Sequence, residues 1–238
     1  MKQIEEYVPH FYSFTRWKQF PLIAGFTDRM FNFAIRADSK RKNTLLAQLG
    51  LTIDSIIFPK QVHGGTVYII DKSTISRLFK CDGLVTHEIE IPLAILTADC
   101  APLFFFLPSQ GVIGIAHAGW KGILNGIVLS MINTIAKGYN VEVNDMQVGI
   151  GPAIRSCCYQ IGEDVANLFK EGITNKDGQL YLDLIHIIKG ELIKKGVISS
   201  HIIDSEICTS CQSNRFFSYR KECNNVGRML SLIMLKNE

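Results

Sequence analysis

The chain predicts an α+β fold in one domain spanning residues 1–238, with mixed antiparallel strands and helices interspersed irregularly among them. Short β-branched and apolar runs recur along it, each bounded by Gly, Pro, Asp or Asn. Two of them, 103–107 and 112–116, are separated only by Pro108-Ser109-Gln110-Gly111, whose turn chemistry makes an antiparallel hairpin. Neither G-x-G-x-x-G nor G-x-x-x-x-G-K-[ST] occurs, which removes the usual dinucleotide and P-loop readings of an α/β chain.

In chain order, a helix at 41–49 stops at Gly50, and strands follow at 55–58, 66–70, 83–86 and 93–97 before the hairpin pair. A helix at 123–136 comes next, stopped by Gly138. In it Ile123, Leu124, Ile127, Val128, Met131, Ile132 and Ile135 recur at helical spacing and mark the buried face. A strand at 146–151 precedes a helix at 162–169. The segment 170–179, rich in Gly, Asn, Lys and Asp, reads as a surface loop. A last helix at 182–195 ends at Gly196, and strands at 201–206 and 229–235 complete the chain.

With 238 residues, 47% of them hydrophobic, the chain is long enough for one substantial core. A net charge of +3 without a basic or acidic run gives no nucleic-acid arm, so small substrates are expected. Residues 1–20 mix charges with aromatics and hold no secretory apolar run. The apolar stretches 91–98 and 103–107 end at Asp or Pro far short of about 18 residues, so no membrane partner is expected. Seven cysteines, an odd number, argue against a disulfide framework and for a cytoplasmic protein.

Three segments carry the chemistry: Gln61-Val62-His63-Gly64, Thr97-Ala98-Asp99-Cys100-Ala101-Pro102, and Ala116-His117-Ala118-Gly119-Trp120-Lys121-Gly122. Cys100 and His117 fall at strand ends, where scaffolds present reactive groups. Two imidazoles and one thiolate suit zinc, and three protein ligands leave a fourth position open, as in a catalytic site. Asp99 reads either as a general base, proton carrier or orienter beside the ion, or as a turn cap. Other readings stay open: Cys100 as a nucleophile activated by His117, or a closed structural metal with Cys158 or His87 as its fourth ligand. A copper oxidase is the poorest of them, since a multicopper site needs a histidine-rich cluster and the chain has six histidines.

Cys208-Thr209-Ser210-Cys211 is a single C-x-x-C, and Cys223 alone does not supply the second pair that a zinc knuckle needs. Adjacent Cys157 and Cys158 point apart on any regular backbone, so at most one is expected to face a site. Arg29, Lys60, Lys121, Arg155, Arg220 and Arg228 stand in or beside these signatures as candidate phosphate holders. Phe216-Phe217-Ser218-Tyr219-Arg220 offers either a stacking face or core packing.

Together with Gly25-Phe26-Thr27-Asp28-Arg29, Gly151-Pro152-Ala153-Ile154, Cys157-Cys158-Tyr159 and Gly227-Arg228-Met229, these motifs resemble, in order and spacing, the laccase-domain or polyphenol-oxidase-type family. Its members are also described as multifunctional purine nucleoside phosphorylases. The resemblance implies a four-layer α/β/β/α sandwich with mixed sheets, and zinc on His63, Cys100 and His117. It implies phosphorolysis of adenosine, inosine and methylthioadenosine, deamination of adenosine, and a copper-dependent phenol oxidation. Nucleosides and phosphate would be the partners, met by Asn32 and the cations Arg29, Lys60, Lys121 and Arg228. The H-x-E and P-C-x-x-C signature of other zinc deaminases is absent, so deamination would rest on a different constellation. One departure is local. Met30-Phe31-Asn32-Phe33-Ala34 replaces a longer Gly-Gly-Val-Ser loop, with Asn32 nearest the family's asparagine, Ala24 where many members have histidine, and Thr44 where an arginine is common.

Overall fold

Two sheets pack face to face in the computed structural model, which describes residues 3–34, 39–75, 79–224 and 226–237. The first sheet is five-stranded, in the order β1 (Ile4–Val8), β2 (Phe11–Phe14), β3 (Leu22–Thr27), β14 (Met229–Leu235) and β6 (Leu93–Thr97), antiparallel throughout. The second is six-stranded, in the order β13 (Ile202–Asp204), β9 (Gln147–Ile150), β7 (Ala101–Leu107), β8 (Val112–Ala118), β5 (Gly83–Thr86) and β4 (Val67–Ile69). Its outer pairs, β13 with β9 and β4 with β5, are parallel, and its inner pairs are antiparallel. A small third sheet joins β10 (Gln160–Ile161), β12 (Gln179–Leu182) and β11 (Ile173–Lys176). The helices are α1 (Ser39–Gln48), α2 (Trp120–Leu124), α3 (Ile127–Tyr139), α4 (Glu163–Ala166), α5 (Leu184–Lys194) and α6 (Tyr219–Glu222).

The alternation of side chains along β7 shows why the layers stack this way. Phe104 and Phe106 enter the space between the sheets, where Phe104 meets Phe14 edge-on at 5.1 Å. Leu103, Phe105 and Leu107 point the other way, into the core that α3 and α5 close with Met131, Ile135 and Ile188. Because both faces are covered, the strand reads as one unbroken apolar run. On the far side, α1 lays Leu45 and Leu46 over Phe11, Ile23, Leu230 and Leu232 of the five-stranded sheet. The result is the four-layer α/β/β/α sandwich, an α+β fold with the β7–β8 hairpin at its centre.

Several elements differ from the sequence expectation. The run 55–58 makes only a parallel bridge from Ile57 to Leu93, because Thr52 and Ser55 close a tight turn on each other over Ile53–Ser55. The single helix expected at 123–136 is two. Gly126 at φ +75° separates α2 from α3. Gly138 lies inside α3, where a β-carbon would come 2.6 Å from Ile69, and Asn140 at φ +51° is the residue that ends it. The helix expected at 162–169 shortens to α4. The expected loop at 170–179 is largely the β11–β12 hairpin, turned by Asp177 and Gly178, both at positive φ. In β1 to β3 charged and small residues mask the alternation that would mark a strand in the sequence. No described helix is long and apolar enough to cross a membrane.

Candidate metal and catalytic centre

Strand order delivers the three signature residues to one place. After β6 the chain turns through Ala98, Asp99 and Cys100 into β7, with Asp99 at φ +89°. β8 returns beside β7 with His117 opposite Pro102, which puts the imidazole next to the Cys100 turn. His117 therefore lies within β8, one residue from its end, and Cys100 just before β7. His63 comes from the loop ahead of β4, at φ +59°. A non-glycine residue in this region is strained, and such strain persists only where its surroundings hold it.

Asp82 does the holding. Fully buried just before β5, its carboxylate accepts the backbone N–H groups of Val62, His63 and Gly64 at 3.1, 3.0 and 2.7 Å. The same carboxylate meets His117 Nδ1 at 2.8 Å, and its carbonyl accepts the His117 N–H at 2.7 Å. One side chain thus positions two of the three ligands and leaves His117 Nε2 facing the site. Gln61 adds a second tie, pairing its amide with both the N–H and the carbonyl of Leu96 at 2.9 Å. Nothing in the sequence pattern singled out Asp82, since an acid before a strand looks like an ordinary turn residue.

The ligand atoms of His63, Cys100 and His117 all lie within 4.8 Å of one another, and the two imidazoles stand edge to face at 4.7 Å. Gly119 makes the space. A β-carbon there would sit 2.7 Å from Cys100 Sγ. Burial pushes the Cys100 thiol up, but the His117 and His63 rings outweigh it and bring it down to about 6. Burial likewise disfavours a charged His117, yet Asp82 and Cys100 raise it to about 9. The two rings thus favour the thiolate form of Cys100, and Asp82 and Cys100 together favour a proton on His117. Among the described residues the group ends at three ligands. Cys158 clusters with other cysteines and His87 packs edge-on against Tyr139, so neither closes the site as a fourth ligand.

The three residues share a cavity of about 970 Å³ with Asn32, Gln61, Asp99, Trp120, Tyr159, Tyr219, Arg220 and Arg228. Asn32 accepts the Ala34 and Arg228 N–H groups at 2.9 and 3.0 Å, which seats the short 30–34 loop beside β14. Asp99 also lines the cavity, but its carboxylate is engaged, accepting Thr209 Oγ1 at 2.5 Å and the Arg220 N–H at 2.7 Å. Arg29, Lys60 and Lys121 do not line it. Arg29 pairs with Glu222 at 3.1 Å and lies over Phe217, Lys121 lies over Trp120 at 5.3 Å, and Lys60 is exposed. Arg155 is bound to Asp204. Phe216 and Phe217 are buried, so that pair packs the core.

Two cysteine expectations are overturned. Cys157 and Cys158 occupy a turn closed by the Cys158 and Tyr159 N–H groups on the Arg155 carbonyl, and an irregular backbone lets both sulfurs face one way. They meet Cys208 and Cys211, which supplies the second pair the C-x-x-C lacked in sequence.

Known proteins share this arrangement of chain. The purine nucleoside phosphorylase YlmD of Geobacillus stearothermophilus is 34% identical over 221 residues, covering 85% of this chain and 81% of that protein. Adenosine deaminase RL5, from an unknown prokaryotic organism, is 29% identical over 210 residues, covering 81% and 80%. The crystal structure of Geobacillus stearothermophilus YlmD superposes with a TM-score of 0.91 at 28% identity, covering 100% of both chains. A family model described as multi-copper polyphenol oxidoreductase laccase matches residues 36–236. Fold, relatives and this match agree, and the chain belongs to the multi-copper polyphenol oxidoreductase laccase family.

Proposed function

We propose that the chain is a purine nucleoside enzyme that phosphorolyses adenosine, inosine and methylthioadenosine and deaminates adenosine, using zinc on His63, Cys100 and His117. The observation that carries this reading is the convergence, among the described residues, of three ligand atoms in the lining of a cavity large enough to admit a nucleoside. The names of its relatives, purine nucleoside phosphorylase and adenosine deaminase, point to purine nucleosides as the substrate class. The donor set fits zinc: two imidazoles and one thiolate, with a carboxylate behind His117. When bound, the ion supplies a Lewis acid to an oxygen of water or substrate.

The chain's own residues do the rest. Asp82 orients His117, while Asp99 holds the turn at Cys100 against Thr209 and Arg220. Trp120 and Tyr159 offer flat faces to the purine, and Asn32, Arg228 and Arg220 form the polar arm that receives ribose and phosphate. In phosphorolysis a phosphate oxygen bonds to the sugar C1′ as the bond to the base nitrogen breaks, so an anion must sit against C1′. In deamination water displaces the amino group at C6, and no phosphate is needed.

Incubation with each nucleoside, with and without phosphate, followed by product chromatography tests the reading. Free base that forms only with phosphate supports phosphorolysis, and inosine formed from adenosine without phosphate supports deamination. Neither product from zinc-loaded protein overturns both. A second reading, Cys100 as the nucleophile of a metal-free hydrolase with His117 as its base, is favoured by the lowered thiol and raised imidazole. Zinc-free protein that keeps its activity, and loses it on stoichiometric alkylation of Cys100, selects this reading. Copper is the alternative ion. Absence of a strong blue thiolate-to-copper absorption after copper loading would dispose of phenol oxidation.

A further inference from the structure

Cys157, Cys158, Cys208 and Cys211 lie apart from the cavity lining, and the proposed reaction leaves them unused. We propose that they form a second, closed metal site, a tetrathiolate that binds zinc and fastens the wall of the cavity.

All four sulfurs lie within 4.8 Å of one another. Cys211 Sγ stands 3.5 Å from Cys157 Sγ and 3.3 Å from Cys158 Sγ. Zinc–sulfur bonds of about 2.3 Å place the corners of a tetrahedron roughly 3.8 Å apart, so a small adjustment brings four thiolates onto one ion. A disulfide needs about 2.0 Å, and Cys211 approaches two partners alike, which is the geometry of a cluster. The backbone prepares the group. A parallel bridge between Ala153 and Cys208 sets the two cysteine segments side by side, through Ala153 N–H to the Ile207 carbonyl and Thr209 N–H to the Ala153 carbonyl. Backbone N–H groups of Cys211 and Arg155 point at the Cys208 sulfur. Arg220 and Lys176 bond to the Cys158 and Ser156 carbonyls, and their positive charge opposes the net negative charge that four thiolates would leave on zinc. Four ligands fill the tetrahedron, so the site has no position for substrate.

The site's place in the fold gives it a purpose. Tyr159, next to Cys158, lines the cavity, and so does Arg220, which bonds to the Cys158 carbonyl. Thr209, inside the C-x-x-C, donates to Asp99, the neighbour of Cys100. Metal at the four cysteines would fix the turn that carries Tyr159 and the segment that carries Thr209, and so hold the wall facing the three-ligand centre. The four cysteines here are positioning residues.

Metal analysis and cobalt absorption test this independently of any nucleoside activity. Full-length protein purified under reducing conditions and loaded with zinc should hold two equivalents per chain. Cys208→Ser and Cys211→Ser should each hold one, and so should Cys100→Ser with the cysteine cluster intact. Cobalt-loaded Cys100→Ser should keep the intense sulfur-to-cobalt charge-transfer band and the tetrahedral visible bands, and Cys211→Ser should lose most of that intensity. Cys211 lies on an exposed turn, so its variant should fold, with its near-ultraviolet circular dichroism as the check. The proposal is overturned if reduced wild-type protein binds one equivalent that Cys100→Ser abolishes. It is also overturned if mass spectrometry of the reduced, zinc-loaded protein finds Cys211 disulfide-bonded to Cys157 or Cys158.

Discussion

At the scale of single residues, the centre is a set of side chains that cannot act alone. His63, Cys100 and His117 were legible in the sequence because each stands in an unusual flanked motif, but Asp82 was not, because its importance lies in what folds onto it. Asp82→Asn keeps the shape and removes the carboxylate charge that orients the His117 ring and strengthens it as a ligand. Zinc affinity should fall roughly 10–100-fold, as for other residues behind a ligand, measured by competition with a chromophoric chelator. Gly119→Ala acts by size alone. The added carbon would lie 2.7 Å from Cys100 Sγ and 3.6 Å from the His63 ring, so turnover should drop about 100-fold while the melting temperature stays near wild type. Unchanged turnover in that variant would mean that Cys100 is not held where the reaction needs it.

At the scale of elements, turns decided more than periodicity did. The apolar spacing of 123–135 continues across Gly126, yet the backbone there adopts φ +75° and the helix breaks. Gly126→Ala meets no atom within 4 Å, so its cost is backbone strain alone, about 1 kcal/mol by urea melt. β13 is fastened to the segment before β10 by Asp204, which accepts Arg155 through both oxygens at 2.9 and 2.5 Å and Lys189 at 2.7 Å. Burial pushes this carboxyl up, but Arg155 and Lys189 bring it down from 3.8 to about 2. Because the folded value is the lower one, the stability it contributes is complete above pH 3.8 and disappears as the pH falls through about 2. Wild type should therefore lose about 2 kcal/mol more than Asp204→Asn across that window in paired urea melts, and parallel pH curves would refute the assignment.

At the scale of the whole molecule, the two sheets share one core, and the centre sits where the five-stranded sheet hands the chain to the six-stranded one, between β6 and β7. Phe104 is fully buried between them against Phe14 and does not line the cavity. Phe104→Ala should cost about 3–5 kcal/mol in thermal or chemical unfolding while leaving nucleoside KM unchanged in the folded fraction. By itself the sequence determined the α+β class, the central hairpin, the edges of β5, β6 and β14, and the three side chains that are candidates to hold a metal, because local patterning and residue chemistry are written along the chain. Only the tertiary structure decided that those three converge, that Asp82 holds two of them, and that Arg228 lines the cavity while Lys60 and Lys121 do not. It also brought Cys157 and Cys158 to Cys208 and Cys211. Each of these depends on contacts between residues tens of positions apart, set by strand order and turn geometry that no local pattern encodes.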